Sequence, residues 1–344
     1  MKYAEFLKPG GTIGFIAPSF GCATEPYISR FNNARIKFQE MGYRCVEGPN
    51  CRISSGIGKS NTPEKCGKEI NDFFLNDKCD VIISCGGGET MCEDLPYIDY
   101  NSIADNPPKW FMGYSDNTNL VFTLPVLCDT AAIYGPCVSE FGQKNWHQSV
   151  NDAFNTLTGK SIVSHGFDKW EKDPFDAKSD PLCGFNCTER SSLKIMGSAR
   201  GQSSVKFSGR LIGGCLDILT LLCGTKYDKV NEFCSKYKND RIIWFIESCD
   251  LTSVAVRRSL WSLKESGWFD NASGFIIGRP YLYDDESFGL TQTQAVVEIL
   301  DDLSLPIILN ADIGHLSPMM PVIAGAYAEV SVFQDSINLK HYLI

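Results

Sequence analysis

Short apolar runs alternate with amphipathic stretches through the first third of the chain, the pattern produced by a parallel sheet covered by helices. Thr12-Ile13-Gly14-Phe15-Ile16-Ala17 reads as a strand that ends at Pro18-Ser19. Tyr27 to Met41 has helical periodicity and stops at Gly42, after which Tyr43-Arg44-Cys45-Val46 opens a second strand. A helix from about Pro63 to Leu75 leads into the strand Val81-Ile82-Ile83-Ser84, which runs straight into Cys85-Gly86-Gly87-Gly88. Trp110-Phe111-Met112 is the end of another buried strand, and Asn119 to Leu127 has the apolar content of a packed helix.

Periodicity lapses between about His165 and Gly201, which reads as a long loop or interdomain crossing; long loops in compact proteins are often lids. Trp170 in this stretch either stacks on a ligand ring or anchors the loop. Beyond it, Gly209 to Asp217 predicts a short strand, a glycine turn at Gly213-Gly214 and the start of a helix through Leu222, with Gly224 where helices often end. Arg241 to Ile246 is a strongly apolar strand with Glu247 directly after it, and Ser253 to Ser266 is a helix that Thr252 or Asp250 can cap. The 344 residues therefore divide into an N-terminal domain over 1–165, an irregular crossing over 166–204 and a C-terminal domain over 205–344.

The chemistry concentrates at strand ends. Gly113-Tyr114-Ser115-Asp116-Asn117-Thr118 puts a small hydroxyl residue on the turn between a strand and a helix. On such a turn the side chain stands clear of the sheet and the amide of Asp116 faces the space where an oxyanion forms. The alternative is that Ser115 or Asp116 only caps the helix. Consecutive Gly86, Gly87 and Gly88 lack the spacing of a dinucleotide fingerprint. They make either a tight turn or the second amide of an oxyanion hole, from Gly87 or Gly88. A hydroxyl nucleophile needs a base. Of the four histidines, His315 stands out, in the loop Asp312-Ile313-Gly314-His315-Leu316-Ser317-Pro318 after the apolar strand Pro306 to Leu309. Glu247 is either its carboxylate partner or a solvated strand-end residue. Cys85, also before glycines, is a competing nucleophile with no histidine placed for it.

The 43% hydrophobic and 21% charged composition belongs to a soluble globular protein, and a net charge of -9 argues against nucleic acid or an anionic membrane surface as partner. A small-molecule substrate fits better. The N-terminus has no signal-peptide pattern, so a cytoplasmic protein is expected. Fifteen cysteines, without C-x-x-C pairs, are read as reduced and mostly small core residues. Cys183 and Cys187 approach a metal pair that nothing completes, and neither a metal nor another cofactor is expected.

The Gly113-Tyr-Ser-Asp-x-Thr118 turn, the Gly86-Gly87 pair, Gly209-x-Leu-x-Gly-Gly214, the strand ending in Glu247, and Gly314-His315 together resemble the serine LD-carboxypeptidase family, in order and over nearly the whole chain. The leaning is to its MccF-like branch of microcin C immunity proteins. The resemblance implies an open parallel-sheet, Rossmann- or flavodoxin-like N-terminal domain and a smaller C-terminal α/β domain. It implies a metal-free serine carboxypeptidase, with Ser115 as nucleophile, His315 as base, Glu247 as its orienting carboxylate, and the amides of Asp116 and Gly87 or Gly88 as oxyanion hole. It implies a homodimer acting on a small peptide or peptide-nucleotide, with Trp170 stacking on a nucleobase. Removal of terminal D-alanine from muropeptides is the other activity in the family. Non-catalytic binding of a toxic peptide is the alternative of another class.

Overall fold

The computed structural model describes Met1 to Ile344, which separate into two compact units. Unit one is Met1–Ile162 with Asp173–Asn186, and unit two is Val163–Lys172 with Cys187–Ile344. The aperiodic segment 166–204 is thus shared between the units.

Unit one contains β1 (Thr12–Ile16), α1 (Tyr27–Glu40), β2 (Arg44–Glu47), α2 (Pro63–Leu75), β3 (Val81–Ser84), α3 (Tyr100–Asp105), β4 (Trp110–Gly113), α4 (Thr118–Cys128), β5 (Ala132–Tyr134), α5 (Val138–Phe141) and α6 (Gln148–Leu157). Its strands lie in the order β2-β1-β3-β4-β5, each neighbouring pair parallel. The interior strands β1, β3 and β4 are buried throughout, which explains their continuous apolar runs. Helix α1 packs through Phe31, Ala34 and Phe38, and α2 through Cys66, Ile70, Phe73 and Phe74, the spacing of one helical face. The order reverses between β1 and β3. Ligands of open α/β sheets sit outside the carboxyl ends of strands at such a reversal, and Gly86–Gly88 and Ser115 follow the carboxyl ends of β3 and β4.

Unit two contains β6 (Val163–His165), β7 (Lys169–Trp170), β8 (Glu189–Arg190), β9 (Lys194–Gly197), β10 (Ser204–Cys215), α7 (Leu216–Leu222), α8 (Val230–Lys236), β11 (Ile242–Glu247), α9 (Ser253–Glu265), β12 (Ala272–Gly278), β13 (Glu286–Ser287), β14 (Leu290–Thr291), α10 (Gln292–Leu300), β15 (Pro306–Ala311), β16 (Val322–Ala324), β17 (Tyr327–Phe333) and β18 (Ser336–Tyr342). Its eight-stranded sheet runs β6-β18-β17-β10-β11-β12-β15-β9, parallel from β10 to β15 and antiparallel on both flanks. Cys215, Glu247, Gly278 and Ala311 stand at the carboxyl ends of the four parallel strands. Thr252 caps α9 through the Ala255 amide.

Two expectations fail here. Gly213-Gly214 is no turn: β10 continues through both to Cys215, and a Cβ on Gly213 would come within 1.7 Å of the Phe245 carbonyl oxygen of β11. Glycine is needed there because two backbones approach, a need that looks the same in sequence as a need for a bend. Nor is 166–204 devoid of strands. β7 pairs with β8, and β9 forms the antiparallel edge beside β15; these short pieces carry too few residues to show a period.

All fifteen cysteines are free, eight of them buried and seven partly buried. No helix is long and apolar enough to cross a membrane.

Candidate active site

In unit one the chain leaves β4 at Gly113, stays extended at Tyr114 and turns at Ser115 with φ of +63°. A left-handed conformation at a residue with a Cβ costs about 1–3 kcal/mol and persists only where surrounding contacts impose it. Those contacts are visible. The Ser115 amide donates to Tyr134 Oη at 3.3 Å. The buried Asp116 carboxylate accepts from Ser19 Oγ at 2.5 Å, the Met91 amide at 3.0 Å and Asn119 Nδ2 at 3.0 Å. Burial raises the Asp116 pKa, and its hydrogen bonds oppose that rise. The N-cap positions of the turn and of α4 are Tyr114 and Asn117, so neither Ser115 nor Asp116 stands at a cap position. Asp116 instead ties the turn to the ends of neighbouring elements.

Gly87 lies against the serine. A Cβ built on it would fall 2.9 Å from both Cβ and Oγ of Ser115. The Gly86 carbonyl accepts from Asn117 Nδ2 at 2.9 Å and Ser84 Oγ at 3.1 Å, and the Gly87 carbonyl accepts from the Phe20 amide at 2.8 Å. In a trans peptide the N–H points opposite to the C=O, so fixing these carbonyls fixes the Gly87 and Gly88 amides. Ser115, Gly87, Gly88, Tyr114 and Arg30 line one cavity of about 350 Å³ in this unit. We expect Gly87→Ala to lower kcat by about 10²-fold by displacing Oγ, with a thermal unfolding midpoint within a few degrees of the parent. An unchanged kcat in a folded variant would refute a role for this contact. Cys85, the competing nucleophile, is fully buried, and burial raises its thiol pKa well above the ordinary value. That leaves it neither exposed nor ionised.

In unit two the loop after β15 brings His315 to the end of β11, where Nδ1 and Glu247 Oε2 are 2.8 Å apart. A carboxylate only accepts, so Nδ1 carries the proton and Nε2 is the acceptor nitrogen of the neutral ring. Glu247 is buried, contrary to the solvated alternative. Burial pulls the His315 pKa down, but the Glu247 charge and the hydrogen bonds to Cys249 and Glu247 outweigh it and set it well above the usual histidine value. Gly314 has φ of +105°, and a Cβ there would lie 2.4 Å from Glu247 Oε2. The loop can therefore close on the carboxylate only with glycine at this position. Tyr281 faces the imidazole edge-on at 6.4 Å.

Two cysteines beside this pair were not foreseen. The Cys249 thiol hydrogen-bonds His315. A donor atom each from Cys215, Glu247 and His315 lie within 4.8 Å of one another. Cys215 faces Glu247 in the β10–β11 register, which could have been anticipated only by aligning these strands.

Trp170 lines a second cavity, of about 230 Å³ and within unit two, together with Glu247, Ser248, Arg279 and Tyr283. The Arg279 guanidinium lies over its ring at 4.7 Å and Tyr283 meets it edge-on at 5.2 Å. The other histidines serve local structure. His341 accepts from the Ile323 amide, His147 caps α6 through the Ser149 amide, and His165 pairs with Asn338. The structure thus gathers Ser115, Asp116, Gly87 and Gly88 in one unit, and Glu247, His315 and Trp170 in the other.

Residues 13–135 match the family model for the LD-carboxypeptidase N-terminal domain, and residues 208–330 match that for the LD-carboxypeptidase C-terminal domain. The microcin C7 self-immunity protein MccF of Escherichia coli is 26% identical over 98% of this chain and 95% of its own. A Bacillus subtilis protein named a probable murein peptide carboxypeptidase is 23% identical over 97% of this chain and 93% of its own. Among solved structures, MccF in complex with aspartyl sulfamoyl adenosine superposes with a TM-score of 0.79 at 24% identity, covering 99% of both chains. An MccF-like protein from Bacillus anthracis does so with a TM-score of 0.82 at 22% identity, covering 99% of this chain and all of the other.

Proposed function

Because this chain belongs to the LD-carboxypeptidase family of serine-type carboxypeptidases, we propose that it hydrolyses an amide bond of a small peptide or peptide-nucleotide through Ser115, His315 and Glu247. The observation that carries this reading is Ser115 itself, a residue held at a costly left-handed φ on a strand-to-helix turn with Gly87 packed against its hydroxyl. The Glu247–His315 pair supports it, having the tautomer a general base requires.

In this mechanism Ser115 Oγ attacks the amide carbonyl while His315 Nε2 takes its proton, and Glu247 stabilises the resulting imidazolium. The Asp116 amide and the Gly87 or Gly88 amide hold the oxyanion, each donor contributing about 3 kcal/mol. His315 then protonates the leaving amine, and water activated by the same imidazole releases the acyl group. As part of this reading the enzyme works in the cytoplasm as a homodimer.

The substrate we favour is an acyl-nucleotide amide, the class to which the aspartyl sulfamoyl adenosine bound to MccF is related. Trp170 would stack on the nucleobase, and Arg279 over its ring holds it as a rigid platform. A base stack contributes about 1–3 kcal/mol, so Trp170→Ala should lower kcat/KM for nucleotide-linked substrates by about 5- to 150-fold and spare muropeptides. Equal losses on both would remove the stacking role. The Bacillus subtilis relative favours a second reading, removal of a terminal D-amino acid from muropeptides. A mass-spectrometric time course with both substrates side by side decides between them. Stoichiometric binding with no product from either would instead make the protein a sequestering one.

A further inference from the structure

We propose that Cys215, Glu247 and His315 form a binding site for a single thiophilic divalent cation, with Zn²⁺ the best fit, and that its occupancy switches the enzyme off. The three donor atoms, one sulfur, one oxygen and one nitrogen, lie within 4.8 Å of one another. Ligand atoms of tetrahedral zinc are about 3.5 Å apart, so closing the set requires an adjustment of about an ångström. Cys215 and Glu247 are neighbours at the ends of adjacent parallel strands, and the 2.8 Å His315–Glu247 contact already positions two of the donors. This is a soft and borderline donor set, which selects zinc over magnesium or calcium.

Charge favours the assignment. Cys215 and Glu247 are buried, and a bare cation there would be strongly penalised. One thiolate and one carboxylate neutralise a divalent ion, so the complex with neutral imidazole carries no net charge. Binding releases the Cys215 thiol proton to solvent, and the proton of the neutral ring passes from Nδ1 to Nε2 so that Nδ1 can ligate the ion. The approach is through the 230 Å³ cavity that Glu247 lines, along with Leu216, the residue after Cys215. A fourth position is left for water. An ion held by His315 and Glu247 removes both from proton transfer. The binding claim rests on unit two alone, whereas the inhibition rests on the role given to His315 above.

The test is titration of the full-length protein, cleared of metal, with Co²⁺ as spectroscopic substitute and then Zn²⁺ as competitor. We expect one equivalent of Co²⁺ to give a thiolate-to-cobalt charge-transfer band that Zn²⁺ abolishes. Cys215→Ser should remove the band and weaken Zn²⁺ binding at least tenfold, while Cys249→Ser keeps the band. One equivalent of Zn²⁺ should reduce turnover at least tenfold, with EDTA restoring it. Absence of the band from the unsubstituted protein overturns the site even if Cys215→Ser does not fold. A band lost in Cys249→Ser but kept in Cys215→Ser overturns the donor set. A band without inhibition leaves the site standing but overturns the switch, and if Ser115→Ala retains full turnover, the fault lies in the triad reading.

Discussion

Ser115→Ala is expected to lower kcat by about 10⁴-fold or more on whichever amide substrate the enzyme accepts, while substrate binding changes little. The hydroxyl is the atom that becomes acylated, and no neighbouring group replaces it: Cys85 is buried and un-ionised, and Gly87 offers only backbone. Alanine keeps a Cβ and hence the strained φ of +63°, so the variant should fold and melt much like the parent. Ser115→Gly separates strain from chemistry. It is equally inactive, but it relieves a left-handed conformation that costs a Cβ-bearing residue roughly 1–2 kcal/mol, and part of that should appear as a higher unfolding midpoint. Quantitative mass spectrometry of product over a single enzyme equivalent checks the first claim and calorimetry the second. Near-parental turnover in Ser115→Ala would end the serine mechanism.

Glu247→Gln carries the second large effect, a loss in kcat of about 10⁴-fold by comparison with removal of the carboxylate from other triads. The amide can present its own N–H to Nδ1, which reverses the tautomer and leaves a proton on Nε2 where an acceptor is needed. The pH profile gives an independent readout. The neutral imidazole is the active form, so kcat/KM of the parent rises with pH through a pKa well above about 6.5. Burial, Glu247 and Cys249 act on this ring, Cys215 and Tyr281 stand beside it, and Glu247 is the carboxylate bonded to it, with Asp217 and Asp250 behind the two thiols. Without that charge burial dominates, and the residual activity should titrate at lower pH. Stability follows the same linkage. Because the folded-state pKa is raised, the pair's contribution is full below about pH 6.5 and fades as pH climbs through the His315 pKa. The gap in unfolding midpoint between parent and Glu247→Gln should therefore narrow toward alkaline pH. Rate profiles measured in EDTA that coincide for the two proteins would show that Glu247 does not govern the base.

Much of the framework was legible because it is written locally. The α2 boundaries at Pro63 and Leu75, the β3 run from Val81 to Ser84 and the Thr252 cap of α9 depend on spacing within a few residues. The strand-to-helix turn at Ser115 was equally legible, since a strand end, a serine and a helix start are contiguous. Two features misled for one reason: Gly213 could serve a turn or a close strand pair, and the two-residue β7 and β8 are stable only through each other.

The order of apolar and polar positions by itself determined an α/β chain with its candidate site residues at strand ends, because side-chain periodicity reports the burial of each element. Only the tertiary structure decided that Ser115 holds a left-handed φ, that Glu247 is buried against His315 across 68 residues of chain, and that Cys215 and Cys249 stand beside that imidazole. Those facts depend on strand register and loop closure. Both are set by contacts between residues far apart in the chain, and such contacts leave no mark in the neighbours of either residue.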